Sequence, residues 1–178
     1  MGLKLTKDYT IVDNFVEENI FEQFKHSTLQ NNEVPFFPQN YDSYREDNNF
    51  YLSHIIYQNH KPKSSKVFSW LEQFVFPNLQ IYILLKSSIN LYTRTETQPQ
   101  PKLERDYNYK FKTAILSLDT CNGYTILEDG TKFDSIQNRM IIFNSYTPYA
   151  NVTCTDKNYK ANLIINYIEP SVMEGLAP

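Results

Sequence analysis

Residues 121–131 read CNGYTILEDGT, and this stretch holds two strong turn signals. Asn122-Gly123 and Asp129-Gly130 are both favoured in two-residue hairpin turns, because asparagine, aspartate and glycine tolerate a positive φ. The segment between them, residues 124–127, is short and rich in residues that favour β-structure. The stretch therefore predicts one strand held between two tight turns.

Short strand-like segments continue on both sides of this stretch. They are separated by turn residues, as is typical of all-β domains. The predicted strands are residues 81–85, 89–92, 111–118, 124–127, 139–143, 150–155 and 160–168, with a further β-prone segment at 50–57. Many short strands in succession predict a mainly β fold of the jelly-roll (cupin-like) type.

Two amphipathic segments precede the strands. Asp13-Asn14 can cap a helix from about residue 15, with apolar side chains recurring on one face. A second helix is predicted from about Ser64-Ser65 to the residues before Pro77. We expect these helices to support one face of the jelly roll. We expect a single domain over residues 1–178, with a helical or mixed part at 1–79, the jelly-roll core at 80–168 and a tail at 169–178.

Composition excludes several classes of function. The net charge is −3 and the basic residues form no stripe, so we expect no nucleic-acid partner. We find neither a signal peptide nor an apolar run of membrane-spanning length, so we expect no membrane partner and a cytoplasmic location. The two cysteines, Cys121 and Cys154, are expected to be free thiols that serve as small packing residues. The 14 tyrosines and 12 phenylalanines are more than a core of this size requires, which favours protein contacts.

Six sequence blocks together resemble a known family. They are residues 89–96 (INLYTRTE), 112–115 (KTAI), 121–131 (CNGYTILEDGT), 138–143 (NRMIIF), 153–156 (TCTD) and 162–167 (NLIINY). In this order they resemble the prolyl-hydroxylase-like 2-oxoglutarate/Fe(II)-dependent dioxygenases, in particular the short bacteriophage-type members. The resemblance covers residues 80–168 well and the preceding part loosely, and it implies a double-stranded β-helix.

The resemblance also implies an iron site, which the chain does not retain. The family binds Fe(II) with two histidines and one carboxylate and leaves three positions open for 2-oxoglutarate and O₂. The resemblance places Glu104 at the first histidine, Asp106 at the carboxylate and Tyr149 at the second histidine. It places Lys160 at the basic residue that anchors 2-oxoglutarate, and Tyr92 is a further candidate for co-substrate contact. The histidines of the chain, His26, His54 and His60, match no ligand position.

Several interpretations of these positions stay open. Glu104, Asp106 and Tyr149 could form an all-oxygen site for Mg²⁺, Ca²⁺ or Mn²⁺, or Arg105 and Arg94 could neutralise the two carboxylates. Lys160 and Tyr92 could bind a small dicarboxylate without metal, or Lys160 could cover the barrel mouth while Tyr92 packs in the core. Tyr107, Tyr109 and Tyr146 are candidate interface residues because they lie next to loops.

The leading hypothesis is a catalytically inactive relative of the dioxygenases, with no catalytic residue and no cofactor, which serves as a binding or structural module. It would act with protein partners or as a homo-oligomer, in the host cytoplasm or, if the chain is viral, as a component of a phage virion. The alternative is an active dioxygenase that uses Fe(II) and 2-oxoglutarate at an unorthodox metal site. A metal-free small-molecule binder is the third hypothesis.

Overall fold

The structure, a computed structural model, describes residues 9–40, 50–100 and 102–170. Helix α1 (Glu18–Lys25) continues into a π-helical turn (His26–Gln30), and helix α2 (Ser65–Phe74) is followed by a 3₁₀ turn (Phe76–Asn78). No helix within these ranges is long and apolar enough to span a bilayer. The strands are β1 (Tyr9–Val12), β2 (Phe37–Asn40), β3 (Phe50–Gln58), β4 (Lys61–Pro62), β5 (Ile83–Thr93), β6 (Lys112–Ser117), β7 (Tyr124–Leu127), β8 (Lys132–Asp134), β9 (Met140–Asn144), β10 (Tyr149–Val152) and β11 (Tyr159–Ile168).

The strands form two antiparallel sheets. The larger sheet has the order β1-β9-β6-β11-β5-β3-β2, with β4 paired to β3, and the smaller sheet has the order β10-β7-β8. Neighbours in both sheets are mostly distant in sequence, as expected for a jelly roll rather than for a series of simple hairpins. The predicted fold class, a mainly β double-stranded β-helix with N-terminal helices, is confirmed.

Strand β5 shows how the sequence divides the two faces of the larger sheet. Its alternate residues Ile89 and Leu91 belong to the larger hydrophobic core, together with side chains of α1 and α2 such as Phe21 and Leu71. Burial of each large apolar side chain in this core contributes roughly 1.5–3 kcal/mol to folding. The intervening residues Ser88, Asn90 and Tyr92 line a cavity instead. Alternation along a strand thus separates a structural face from a polar interior.

The first helix begins at Glu18, three residues later than the sequence predicts. Asn14 has a φ of +52°, and the backbone N–H groups of Phe15 and Val16 donate to the backbone and side-chain oxygens of Asn138. These bonds hold the segment outside a helix. Asp13 does not cap the helix, because it forms an ion pair with Arg139.

Strand boundaries also differ from the prediction. The segments 81–85 and 89–92, predicted as separate strands, are joined in one continuous strand, β5, which begins at Ile83. Ser87 and Ser88 are buried in β5, which pairs with β11 and β3 on its two sides. The prediction missed the short strands β1, β2, β4 and β8. Residues 171–178 of the expected tail lie outside the described residues, and the single domain stays a prediction.

Candidate functional site

A cavity of about 280 Å³ opens between the two sheets. Strands β3, β5, β10 and β11 supply most of its wall, and the segment 102–106 supplies the rest. Its lining is mainly polar, with hydroxyl, amide and charged groups. The lining residues are Tyr51, Lys86, Ser88, Asn90, Tyr92, Lys102, Glu104, Arg105, Asp106, Tyr149, Ala150, Asn151, Ile164 and Asn166.

The structure brings Glu104, Asp106 and Tyr149 together in this cavity. Glu104 and Tyr149 form an isolated antiparallel bridge, in which each backbone N–H donates to the other residue's carbonyl at 2.9 and 3.1 Å. The bridge fixes the segment 104–106 against the first residue of β10. All three residues line this cavity, and their assignment to metal-ligand positions stays a prediction.

Asp106 is already engaged by protein donors. The hydroxyl of Tyr149 donates to Oδ2 of Asp106 at 3.0 Å, and Nδ2 of Asn166 donates to the same oxygen at 3.2 Å. Asn166 is held in turn by Thr113, whose hydroxyl donates to Oδ1 at 3.1 Å. Thr113 also hydrogen-bonds Ser145. The carboxylate therefore ends a connected polar network in the barrel interior.

Tyr149 is a neutral donor in this network. Burial raises its pKa well above the usual value, and the negative charge of Asp106 raises it further. A phenol must lose its proton before it can serve as a strong metal ligand, and a raised pKa makes that loss costly. Tyr149 consequently stabilises the carboxylate by donating to it.

The basic side chains at the outer part of the cavity lie next to an acidic or an aromatic side chain. Nζ of Lys102 lies 3.8 Å from a carboxylate oxygen of Glu104, and both side chains are partly exposed. The guanidinium of Arg105 lies 4.9 Å from the ring centre of Tyr146. Lys102 is therefore the basic residue that lies close to the carboxylate of Glu104. From the sequence alone, Arg105 and Arg94 are the candidates to neutralise the carboxylates.

Lys160 lies deep in the barrel and does not cover its mouth, because it is 1% exposed. Its ammonium donates to the carbonyl of Tyr124 at 2.6 Å and to Oδ1 of Asn151 at 3.2 Å. Burial lowers its pKa to about 7. Gly123 makes room for it, since a Cβ there would lie 3.0 Å from Cδ of Lys160 and 2.9 Å from the carbonyl oxygen of Val152. The position expected to anchor a dicarboxylate is satisfied by internal acceptors.

Asparagine side chains form a hydrogen-bonded network in and next to the cavity. Nδ2 of Asn151 and Nδ2 of Asn90 donate to the hydroxyl of Tyr92 at 3.1 and 3.4 Å. Asn162 donates to Oδ1 of Asn151 at 3.0 Å, and Ser53 donates to Oδ1 of Asn90 at 2.7 Å. Sequence reasoning missed these amides. In β5 and β11, asparagine alternates with isoleucine and leucine. This alternation is the sequence feature that could have indicated a polar face on these strands.

The histidines lie elsewhere. Nδ1 of His54 is 2.8 Å from the carbonyl oxygen of Pro35, and His26 hydrogen-bonds Gln30 on the helical side. His60 occupies a turn with a φ of +60°. None of them lines the cavity.

The donor set of the cavity does not fit the Fe(II) site of the oxygenases. Neutral imidazoles are absent from its lining, and the surviving carboxylate accepts hydrogen bonds from Tyr149 and Asn166. An octahedral iron centre with one open face needs nitrogen ligands that these residues do not offer.

Two of the candidate interface residues are well exposed near this cavity. Tyr146 is 54% and Tyr109 is 45% exposed. The rings of Tyr107 and Tyr109 stack with centres 5.3 Å apart, and both lie close to Phe111. We call Tyr107, Tyr109 and Tyr146, with Arg105 against the last, the aromatic rim.

Comparison with known proteins identifies the fold. No family model and no curated protein matches the chain. Among solved structures, a Trichoplax adhaerens prolyl hydroxylase in complex with a hypoxia inducible factor peptide fragment is 14% identical, with a TM-score of 0.65 over 97% of this chain and 88% of that one. A Pseudomonas putida prolyl-4-hydroxylase is 14% identical, with a TM-score of 0.58 over 92% and 94%. A 2OG-Fe(II) oxygenase family oxidoreductase from Burkholderia pseudomallei is 9% identical, with a TM-score of 0.63 over 90% and 85%.

Proposed function

We propose that this chain, which has the fold of the 2-oxoglutarate/Fe(II) oxygenases, is a catalytically inactive relative that works as a metal-independent protein-binding module. The observation that carries the proposal is the hydrogen bond from Tyr149 to Asp106. It joins two of the three positions at which the resemblance implies metal ligands. A metal bound through the other oxygen of Asp106 would therefore face a protonated phenol at the position where the family has its second histidine.

The co-substrate position supports the same proposal. A dicarboxylate anchored by Lys160 needs a charged ammonium that is free to face the cavity. The ammonium of Lys160 instead donates to Tyr124 and Asn151, and its lowered pKa of about 7 removes much of its charge near neutrality. Reorienting it would leave the carbonyl of Tyr124 without this donor.

The aromatic rim supports a protein as the partner. Tyrosine and arginine are enriched in the central parts of protein interfaces, because they bury a large area with few rotatable bonds. The exposed rings of Tyr109 and Tyr146 provide such area, and the cavity beside them can receive a side chain of the partner. A second copy of the chain, or another component of a phage virion, would satisfy this chemistry.

An experiment on the rim tests the binding proposal. Light scattering of the purified protein, alone and with the proteins that co-purify from its native source, should reveal a complex. Tyr109→Ser with Tyr146→Ser should dissociate it, whereas Tyr82→Ser should not, because Tyr82 is 60% exposed but is not part of the aromatic rim. A strict monomer in both settings contradicts the proposal.

An active oxygenase with an unorthodox metal site is the second candidate. Glu104 favours it, because its carboxylate is partly exposed at the cavity and lies 3.8 Å from Nζ of Lys102, longer than a hydrogen bond. Metal analysis of protein purified without chelators distinguishes the two. Stoichiometric iron that depends on Glu104 and Asp106 supports the enzyme, and its absence supports the binding module.

A further inference from the structure

A second group of polar side chains lies outside the cavity. Sγ of Cys121, Sγ of Cys154 and a carboxylate oxygen of Asp156 all lie within 4.8 Å of one another. No other group of three histidine, cysteine or acidic side chains converges in this way within residues 9–40, 50–100 and 102–170. Cys121 lies in the connection between β6 and β7, and the other two lie in the connection between β10 and β11. The trio therefore sits where two separate loops meet.

Hydrogen bonds hold the two loops in register at this point. The side chain of Asn122 donates to the hydroxyl of Thr155 at 2.8 Å, and the backbone N–H of Thr155 donates back to it at 2.9 Å. The backbone N–H of Asn122 lies 3.1 Å from both carboxylate oxygens of Asp156. Each carboxylate oxygen keeps further lone pairs, so this bond orients Asp156 without using up its capacity as a ligand.

The thiols are buried but are not surrounded only by apolar groups. Burial raises the pKa of Cys121 to about 11, whereas hydrogen bonds with the backbone of Gly123 and the side chain of Ser135 act in the opposite direction. Burial also raises the pKa of Cys154. Donors directed at a sulfur stabilise the thiolate, and a bound cation supplies the remaining stabilisation by displacing the thiol proton.

Lys160 supplies a nearby positive charge. Its ammonium interacts electrostatically with Cys121, Cys154 and Asp119. A divalent cation held by two thiolates and one carboxylate carries a net charge of −1, which would favour the protonated form of Lys160. Asp156, in contrast, is exposed to solvent.

We propose that Cys121, Cys154 and Asp156 bind a thiophilic divalent cation of the Zn²⁺ class, with the fourth tetrahedral position open to water. Two sulfurs select Zn²⁺ over Mg²⁺ and Ca²⁺, which prefer oxygen ligands alone. The cation joins the β6–β7 and β10–β11 connections and stabilises the barrel. This site replaces the packing role that the sequence suggested for the two cysteines, and it does not depend on the function proposed for the cavity.

Cobalt substitution of the full-length, reduced protein tests the site. Addition of Co²⁺ should produce thiolate-to-cobalt absorption that saturates at one equivalent, and Zn²⁺ should abolish it. Cys154→Ser should remove this absorption. Asp156→Asn, an exposed change that the fold tolerates, should weaken Co²⁺ binding by more than the roughly 10–100-fold that loss of an outer partner costs. Asp129→Asn, in another exposed turn, should leave binding unchanged.

Thermal unfolding gives an independent readout. Zn²⁺ should raise the melting temperature of the wild type and of Asp129→Asn, but not that of Cys154→Ser. Absence of thiolate-to-cobalt absorption in the reduced wild type overturns the proposal. Formation of a disulfide between the two cysteines under air does not change this conclusion. Absorption that persists at full strength in Asp156→Asn overturns the assignment of the third ligand.

Discussion

The hydroxyl of Tyr149 lies 3.0 Å from Oδ2 of Asp106 and donates a hydrogen bond to it. The two residues are 43 positions apart in sequence, and the bridge between Glu104 and Tyr149 brings them together. In the oxygenase fold this point lies at the iron site implied by the resemblance. Here a neutral phenol donates to the carboxylate at this point.

Replacement of Tyr149 by phenylalanine tests the energetic value of this contact. The change keeps the ring but removes one donor from the carboxylate of Asp106, which water can also reach, so we expect a loss of about 0.5–1.5 kcal/mol in the free energy of unfolding. Urea denaturation measures it. Tyr146→Phe is the matched control, because that ring is 54% exposed, and it should change stability by less than about 0.5 kcal/mol. Equal effects of the two changes contradict the role assigned to Tyr149.

The buried Lys160 predicts a specific pH dependence of stability. Its folded pKa is lowered to about 7, so between about pH 7 and the unfolded value the unfolded chain binds more protons than the folded chain. Its contribution to stability therefore rises with pH in this range and is lost as pH falls through about 7. Compared with Lys160→Met, the wild type should gain roughly 2 kcal/mol between about pH 7 and 9.

Urea denaturation of both proteins across this range measures the difference. The comparison with Lys160→Met is needed because the pKa of Cys121 and of Tyr149 is raised, and such acids make stability fall at alkaline pH in both proteins. Lys63→Met serves as the control, since Lys63 is exposed. A pH profile of Lys160→Met that parallels the wild type contradicts the assignment.

Removal of the polar side chain of Asn138 should cause a large loss of stability. Asn138 is buried, has a φ of +61°, accepts from the N–H of Val16 at 3.0 Å and donates to the carbonyl of Val16 at 2.7 Å. Asn138→Ala should lower the free energy of unfolding by about 2–4 kcal/mol, because it leaves two buried backbone groups unpaired and places alanine in a strained conformation. Asn78→Ala, at an exposed site, should have little effect. Similar stability of Asn138→Ala and Asn78→Ala would contradict the role assigned to Asn138 in holding the segment that precedes α1.

Restoration of the histidines tests whether the barrel keeps the geometry of a metal site. Glu104→His with Tyr149→His supplies two imidazoles beside Asp106 and removes the donor that occupies its carboxylate. We expect this double variant to bind Mn²⁺ in anaerobic calorimetric titration, with a gain of at least tenfold over the wild type. Glu104→His with Tyr146→His is the control. Equal affinity of the two double variants contradicts the placement of these positions.

The fold could be predicted from the sequence because turn signals such as Asp129-Gly130, which lies between the paired strands β7 and β8, mark its strands and because the blocks of family resemblance cover its core. The hairpin predicted at Asn122-Gly123 was wrong, because β6 and β7 belong to different sheets. The site could be predicted only in part. Resemblance assigned Glu104, Asp106 and Tyr149 to metal-ligand positions, which stays a prediction, and it did not reveal that Tyr149 donates to Asp106, which depends on an orientation inside the barrel. The role of Asn138 was hidden because its partner, Val16, lies 122 positions away.

The buried asparagines escaped prediction for a similar reason. Asn90 and Asn162 interrupt apolar strands, and their hydrogen-bond partners come from other strands of the barrel. Polar residues at alternate positions of a buried strand indicate a polar interior only when the opposite sheet also offers polar groups. The polar residues of β10 belong to the smaller sheet, and those of β5 and β11 belong to the larger sheet. Contacts between these residues therefore depend on how the two sheets pack in the tertiary structure.

Succinate release tests the central claim most directly. Purified wild-type protein is incubated with Fe(II), 2-oxoglutarate and ascorbate, with and without a pool of proline-containing peptides, and compared with the Asp106→Ala variant. The account predicts that the two proteins release the same background amount of succinate under both conditions. Turnover by the wild type well above that background, abolished in Asp106→Ala, would contradict it and establish the chain as an oxygenase.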